Sequence, residues 1–179
     1  MSRRTRLGLI IPLLLLVAWL VAPALVRRYV DGVIQDRVDK PLPAFVAQDQ
    51  DGRRWTAAEL QGKRALLHFF RSRCHSCDQE APEIRALEAE LPPDVVLLHV
   101  MTDRVLEFPA ELTAATIAGK QFRRPILLVD AAFVDAFHQV RWSQVTPITY
   151  VVDAGGVVRR GLRGAQTRAA IEAALDAVR

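Results

Sequence analysis

The sequence has only two cysteines among its 179 residues, Cys74 and Cys77. No second cysteine pair is present, and His68, His99 and His138 stand in apolar or helical stretches, so a four-ligand zinc site is disfavoured. Attachment of c-type haem is excluded, because it requires a histidine directly after the second cysteine and Asp78 occupies that place. The chemistry of this one cysteine pair therefore becomes the main question.

Acidic residues are absent from the first 28 positions, which hold five of the 24 lysines and arginines. The formal net charge of +4 comes from this segment, because 19 basic and 20 acidic residues remain after it. A nearly neutral body lacks the positive charge that is typical of a nucleic-acid binder. We therefore expect no nucleic acid among the partners of this chain.

Charged residues are also missing from positions 7–26, which are almost wholly apolar. A helix of this length rises about 30 Å, enough to cross the hydrocarbon core of a bilayer. The alternative is a cleaved signal peptide, with a small-x-small pattern at Ala22-Pro23-Ala24. The apolar run is longer than a usual signal core and a proline lies inside that pattern, so the interpretation as an anchor is favoured. Residues 1–26 are thus predicted to be a transmembrane anchor or signal sequence, and both readings export the rest of the chain.

The remainder of the sequence indicates a short connection followed by one domain. Residues 27–40 are charged and partly helical in pattern, which is typical of a stalk. Pro41 and Pro43 keep the next segment extended. Residues 41–179 are enough for one domain with a proper core and too few for two.

Strands and helices alternate along this domain, which predicts a mixed sheet with helices on both faces. A hairpin is expected around Asp51-Gly52, and Thr56 and Glu59 have the spacing of a capping box for a short helix that ends near Gly62. Gly119 is expected to end the third helix. The predicted strands are residues 65–70, 95–101, 126–129, 148–152 and 157–161, and the main helices are residues 78–91, 109–117, 131–140 and 167–178.

The two cysteines lie where an apolar strand passes into a helix, in the stretch FFRSRCHSCDQEAPEI of residues 69–84. Unpaired backbone N–H groups and the helix dipole at this junction favour a thiolate at Cys74. Cys77 is three residues on, so its sulfur can reach Cys74 and resolve a mixed disulfide. The competing interpretation is a purely structural disulfide, but so small a loop would add little entropic stabilisation. The pattern favours a redox pair.

The segment LLHFFRSRCHSCDQEAPEI resembles the active-site segment of the thioredoxin fold, closest to the membrane-anchored TlpA/ResA group of thiol–disulfide oxidoreductases. Glu80 and Pro82 match an acidic residue and a helix-kinking proline of that group. Thr146-Pro147, before the strand ITYVV, matches the proline that is cis in this family and faces the disulfide. The strand–helix section near residues 95–122 resembles the group's central insertion. The resemblance implies a thioredoxin-like α/β fold, a mixed central sheet flanked by helices, preceded by a transmembrane helix.

The resemblance also assigns roles to residues around the pair. Cys74 is expected to attack a client disulfide, Cys77 to resolve it, and Glu80 to be a partly buried acid that takes a proton from Cys77. The alternative for Glu80 is a solvated glutamate of the first helical turn. Thr146 and Pro147 are expected to form the substrate groove, where a cis bend would leave the backbone of Thr146 free to pair with a bound peptide.

Arg73 departs from the family pattern, because relatives usually have tryptophan directly before the first cysteine. Arg73 and His75 are predicted to face the substrate, and their positive charge would favour the Cys74 thiolate. A stabilised thiolate makes the disulfide a stronger oxidant, whereas the overall resemblance indicates a reductase. An exposed His75 without such a role is the alternative.

The resulting hypothesis is a membrane-tethered thiol–disulfide oxidoreductase, with its C-terminal domain on the extracytoplasmic, periplasmic side. Its expected partners are exported proteins with disulfides, apocytochrome c in cytochrome c maturation among them, and a membrane dithiol as electron donor. No dissociable cofactor is expected beyond the redox-active disulfide. Two alternatives remain open, a copper-handling protein with the cysteines as soft ligands and a structural partner of a membrane complex with an inert disulfide.

Overall fold

The structure is a computed structural model that describes residues 3–139 and 144–178, with side chains described from Leu15 onward. The chain divides into two compact units, one up to Val33 and one from Ile34 onward. Helix α1 comprises residues Arg3–Gln35. Within the described part of the chain, no helix combines the length and the apolar character that a membrane crossing requires. The predicted anchor falls partly on side chains outside the described ones, and it stays a prediction, as do the predicted domain boundaries.

In its described residues, the second unit has seven strands, four further α-helices and a short 3₁₀ helix. The strands are β1 Val46–Gln48, β2 Arg54–Thr56, β3 Arg64–Phe70, β4 Val95–Met101, β5 Ile126–Leu128, β6 Ile148–Val152 and β7 Val158–Arg163. The 3₁₀ helix is Ala57–Leu60, and the α-helices are α2 His75–Glu90, α3 Ala110–Lys120, α4 Ala131–Phe137 and α5 Arg168–Asp176.

Five strands form one mixed sheet in the order β5-β4-β3-β6-β7. Strand β3 is parallel to β4, which is parallel to β5, whereas β6 is antiparallel to both β3 and β7. Strands β1 and β2 pair as a separate antiparallel hairpin across the Asp51-Gly52 turn. The predicted mixed sheet and the predicted hairpin are therefore confirmed.

Helices cover both faces of the central strand β3, which explains why nearly every position of that strand is apolar. On one face, Leu66 packs with side chains of α2 and α5, including Ile84 and Ile171. On the other face, Phe69 contacts Phe137 of α4 with ring centroids 5.3 Å apart. Successive residues of β3 thus alternate between two cores, and even-numbered positions face α2.

Several predicted boundaries differ from the structure for local reasons. Helix α2 begins at His75 rather than at residue 78, because Cys74 is its N-cap residue. The predicted end of α3 at Gly119 is wrong, since that residue is helical and Gln121 takes the left-handed conformation that ends the helix, with φ 55°. Helix α4 stops at Phe137, before an extended His138. The capping box of Thr56 and Glu59 is confirmed.

Candidate active site

The cysteine pair lies at the junction of β3 and α2, as the sequence predicts. Cys74 has extended backbone angles, and its sulfur accepts a hydrogen bond from the backbone N–H of Cys77 at 3.2 Å. A side-chain acceptor at this position satisfies one of the N–H groups that the first helical turn leaves unpaired. The helix start therefore directs a donor at the sulfur of Cys74.

The two sulfurs form a disulfide, with the Cα atoms 5.2 Å apart. Cys74 is 5% exposed and Cys77 is 2% exposed, so Cys74 is the more accessible of the two. Both pack against apolar side chains of the sheet, among them Phe70 and Met101. This arrangement suits an attacking sulfur nearer the surface and a resolving sulfur behind it.

Thr146 and Pro147 lie against Cys74, although they are more than 70 residues away in the chain. The Thr146 hydroxyl donates to the Cys74 sulfur at 3.2 Å, and the Thr146 carbonyl oxygen is 3.6 Å from the same atom. The Thr146–Pro147 peptide bond is cis and Pro147 is buried. The expected cis bond and the expected contact with the cysteine pair are both confirmed.

Arg73 and His75 flank Cys74 and are both exposed. The Arg73 guanidinium lies 5.8 Å from the centroid of the Phe108 ring. Arg73 also lines an open cavity of about 400 Å³, whose other charged side chains are Arg85 and the ion pair of Lys120 with Asp78. Positive charge is thus placed beside the cysteine pair, while the substrate-facing role of both residues stays a prediction.

Glu80 is buried rather than solvated, with 1% of its surface exposed. Its Oε2 atom lies 3.1 Å from Nε2 of His68, and its Oε1 atom accepts from the backbone N–H of Gln166 at 3.0 Å. The alternative of a solvated first-turn glutamate is therefore wrong. One helical turn separates Glu80 from Cys77, which places both side chains on the same side of α2.

Sequence reasoning missed the buried partners of Glu80. His68 in β3 and His99 in β4 are paired across the sheet, and their Nδ1 atoms are 2.9 Å apart. Nε2 of His99 lies 2.9 Å from Oε1 of Glu88, which is also buried. The available signal was a single histidine in each of two otherwise apolar strands.

Burial and hydrogen bonding determine the ionisation states of His99 and Glu88. Burial lowers the pKa of His99 to about 4, although the hydrogen bond with Glu88 opposes that shift. Burial acts to raise the pKa of Glu88, but hydrogen bonds from His99 and from the backbone N–H groups of Arg123 and Arg124 outweigh it and hold that pKa below its usual value. At neutral pH, His99 is thus neutral and Glu88 is ionised.

A second buried network fixes the loop that precedes Cys74. The carboxylate of Asp103, after β4, accepts hydrogen bonds from the backbone N–H and the hydroxyl of Ser72 and from the hydroxyl of Thr113. Ser72 and Asp103 are each no more than 1% exposed. The segments that follow the parallel strands β3 and β4 are therefore hydrogen-bonded to each other next to the cysteine pair.

The profile of the AhpC/TSA family matches residues 38–160. The chain belongs to the AhpC/TSA family. The cysteine pair and its cis proline both lie inside the matched segment of this AhpC/TSA chain.

Relatives of this AhpC/TSA chain carry names that describe one kind of chemistry. The thiol–disulfide oxidoreductase ResA of Bacillus cereus is 23% identical over 173 residues, which cover 95% of this chain and 95% of that protein. The thiol:disulfide interchange protein DsbE of Pseudomonas aeruginosa is 29% identical over 129 residues, which cover 71% of this chain and 67% of that protein. The crystal structure of StoA from Bacillus subtilis matches with a TM-score of 0.63 at 18% identity, covering 76% of this chain and 98% of that one.

These similarities confirm the resemblance to the TlpA/ResA group and the thioredoxin-like α/β fold. Together with the Cys74–Cys77 pair, they make this chain a protein thiol–disulfide oxidoreductase of the ResA/DsbE type.

Proposed function

We propose that this oxidoreductase is tethered to the cytoplasmic membrane and reduces disulfides of exported proteins on the extracytoplasmic, periplasmic side. The observation that carries the proposal is the Cys74–Cys77 disulfide at the start of α2, with Thr146 and Pro147 against it. The cysteine pair is the only redox group that this cycle requires, and no dissociable cofactor takes part.

The reaction proceeds through a mixed disulfide. In the reduced chain, the Cys74 thiolate attacks one sulfur of the client disulfide, and the other client sulfur leaves as a thiolate. Cys77 loses its proton to Glu80 and attacks the sulfur of Cys74, which releases the client as a dithiol. The client has then gained two electrons, and the chain is oxidised to the Cys74–Cys77 disulfide. A dithiol in a membrane protein returns two electrons to the pair.

The surroundings of Cys74 support its role as the attacking sulfur. The N–H of Cys77 and the hydroxyl of Thr146 are both directed at it, and such donors favour the thiolate. Arg73 and His75 add positive charge from the exposed side. Thr146 and Pro147 form the rim on which a client peptide binds, where the exposed cations assist.

Exposed apolar side chains on α1 support the tether. Such a surface indicates contact with a membrane or a partner. The exposed members are Leu15, Leu16, Val17, Trp19, Leu20, Val21, Leu25 and Val26. A tethered enzyme remains close to a membrane-embedded electron donor, which raises their local concentration.

Cell fractionation tests the tether. The full chain is expected in the membrane fraction, and a variant without residues 1–26 but with a cleavable export signal is expected in the soluble periplasmic fraction. Recovery of a shortened wild-type chain in the soluble fraction would instead identify residues 1–26 as a signal peptide.

Trapping of clients in cells tests the function. A Cys77→Ala chain lacks the resolving sulfur, so we expect exported proteins to accumulate on Cys74 as mixed disulfides that a reducing agent releases. Mass spectrometry of these adducts identifies the clients, and apocytochromes c are expected among them.

The matched control carries Cys74→Ser together with Cys77→Ala and is expected to trap nothing. Alkylation of free thiols in cells gives the direction, because a reductase is held mainly in the dithiol form. Adducts that are equally abundant in the control, or a Cys74→Ser chain that retains full function, would contradict the proposal.

A further inference from the structure

Four buried side chains form one continuous hydrogen-bonded series that begins one helical turn from Cys77. Glu80 of α2 contacts His68 of β3, which contacts His99 of β4, which contacts Glu88 further along α2. The three distances are 3.1, 2.9 and 2.9 Å, and each residue is at most 5% exposed. We refer to Glu80, His68, His99 and Glu88 as the buried relay.

The number of protons in the buried relay follows from its geometry. Each of its three contacts needs one proton between the two heavy atoms, so the relay needs three protons. Two neutral imidazoles supply only two, and an ionised carboxylate supplies none. Without a third proton, one of the three contacts would bring two lone pairs face to face. The relay therefore holds one proton more than two neutral histidines with two carboxylates.

The position of the third proton follows from the ionisation states of His99 and Glu88. Glu88 is ionised and accepts from Nε2–H of the neutral His99. Nδ1 of His99 is then an acceptor, so Nδ1 of His68 must donate to it. The remaining proton lies between Nε2 of His68 and Oε2 of Glu80. It is thus held at the end of the relay that is nearest to Cys77.

We propose that His68 and His99 are positioning residues that set the proton affinity of Glu80 for its exchange with Cys77. This inference rests on the proposed function and extends it. When the third proton is on His68, Glu80 is a carboxylate and takes the proton of the Cys77 thiol as Cys77 attacks Cys74. When a donor dithiol later cleaves the disulfide, Cys77 leaves as a thiolate and recovers that proton from Glu80. The relay returns to its starting proton count in each cycle.

Among the residues that the structure describes, few other groups around the relay could hold this proton. Helix α2 contributes Glu80, Glu88 and the cysteine pair, and β3 and β4 contribute the two histidines. The loop before β5 contributes the backbone N–H groups of Arg123 and Arg124, and Gln166 contributes another. The rings of Phe70 and Phe122 pack on the histidines, with Phe122 stacked 4.2 Å from His99. These aromatic rings carry no group that can hold a proton, so the proton stays within the relay.

A His68→Gln chain tests the relay kinetically. Rapid mixing of the reduced full chain with oxidised glutathione, followed by acid quenching and mass spectrometry, separates formation of the glutathione adduct on Cys74 from its resolution by Cys77. In wild type, the rate of resolution is measured as a function of pH. His68→Gln is expected to slow resolution about tenfold at pH 7 and to change that pH profile, while adduct formation stays within about twofold.

The matched control is His138→Gln. His138 is also a buried histidine, but it contacts Tyr150 rather than the relay. This variant is expected to keep the wild-type profile of resolution. An unchanged profile in His68→Gln, or an equal change in both variants, would overturn the inference. In either case adduct formation on Cys74 would still support the proposed function, whereas a wild-type chain that forms no adduct would contradict the proposed function itself.

Nitrogen NMR of the histidine rings in the wild-type chain provides a readout without turnover or substitution. At pH 7 we expect a neutral His99 with its proton on Nε2, and a His68 whose Nδ1 is protonated. Two rings that are both neutral and protonated only on Nε2 would overturn the inference. This result does not depend on whether His68→Gln folds.

Discussion

The four histidines of this chain differ in how far they are buried. His75 is exposed beside the cysteine pair, whereas His68, His99 and His138 are each at most 4% exposed. His68 and His99 each contact a carboxylate that offsets part of the cost of burial. Among the described residues, the polar contact of His138 is a long one of 3.4 Å with the hydroxyl of Tyr150. Burial lowers the pKa of His138 to about 4, with Asp135 opposing the shift. His138 is thus buried as a neutral ring.

The free energy of unfolding of a His138→Gln chain should fall less on acidification than that of wild type. The unfolded chain binds a proton at this histidine near pH 6.5, and the folded chain binds it only near pH 4. Between these values the unfolded state holds more protons, so the free energy of unfolding falls as the pH is lowered. We expect wild type to lose about 2 kcal/mol more than His138→Gln between pH 7 and pH 4.5. Urea unfolding at both pH values measures the difference, and parallel losses in the two chains would contradict this account.

Thr146 contributes the second donor to the sulfur of Cys74. Thr146→Val removes the hydroxyl with little change of shape, and a hydrogen bond to a charged group contributes about 1.5 kcal/mol. The midpoint of Cys74 alkylation in the reduced chain should therefore rise by about one pH unit. Iodoacetamide labelling against pH measures that midpoint.

Thr149→Val is the matched control for this substitution. Thr149 is buried in β6, and its hydroxyl has no hydrogen-bond partner among the described residues. Its replacement should leave the alkylation midpoint unchanged and should increase the free energy of unfolding by about 1 kcal/mol, because it removes an unsatisfied polar atom. A shift of the midpoint in both variants would show that the Thr146 hydroxyl is not the cause.

At the scale of elements, strand β7 passes close to Ile34, the residue with which the second unit begins. A Cβ atom added at Gly161 would lie 2.6 Å from Cγ2 of Ile34 and 3.3 Å from Cε1 of Tyr150. Gly119 in α3 has no atom within 4 Å of the corresponding position. A methyl group therefore has room at Gly119, whereas at Gly161 the side chain of Ile34 would have to move.

Gly161→Ala should decrease the free energy of unfolding by about 1–3 kcal/mol, since buried side chains must move to admit the methyl group. Gly119→Ala should increase it by about 0.5–1 kcal/mol, because alanine favours the helix more than glycine does. Urea unfolding, fitted with the same dependence of the free energy of unfolding on urea concentration for all chains, gives both values. Stabilisation by Gly161→Ala would refute the close packing of β7 against Ile34.

The bounds of a strand or helix can be predicted from the sequence where the residues of that segment alone determine them. Strand β4 has the predicted bounds, Val95–Met101, because every position except His99 is apolar. The end of α3 is less predictable, since Gln121 rather than the nearby Gly119 takes the left-handed conformation. The contact between His68 and His99 depends on the parallel register of two strands 31 residues apart, which no local pattern specifies.

At the scale of the whole molecule, the fold brings three separate segments together around the cysteine pair. The junction of β3 and α2 supplies the cysteine pair, the segment before β6 supplies Thr146 and Pro147, and the loop after β4 supplies Asp103. The sequence predicts the first two from motif and resemblance. Asp103 is not predicted, because its role exists only once Ser72 is brought beside it.

The order in which the two sulfurs react tests the central claim most directly. The reduced wild-type, Cys77→Ala and Cys74→Ser chains are each mixed with a peptide that contains one disulfide, quenched with acid at successive times and mapped by mass spectrometry. We predict a stable peptide adduct on Cys74 in Cys77→Ala, a transient adduct that converts to the Cys74–Cys77 disulfide in wild type, and little or no adduct in Cys74→Ser. An adduct that forms first on Cys77, or one on Cys74 that Cys77 fails to resolve in wild type, would contradict the account.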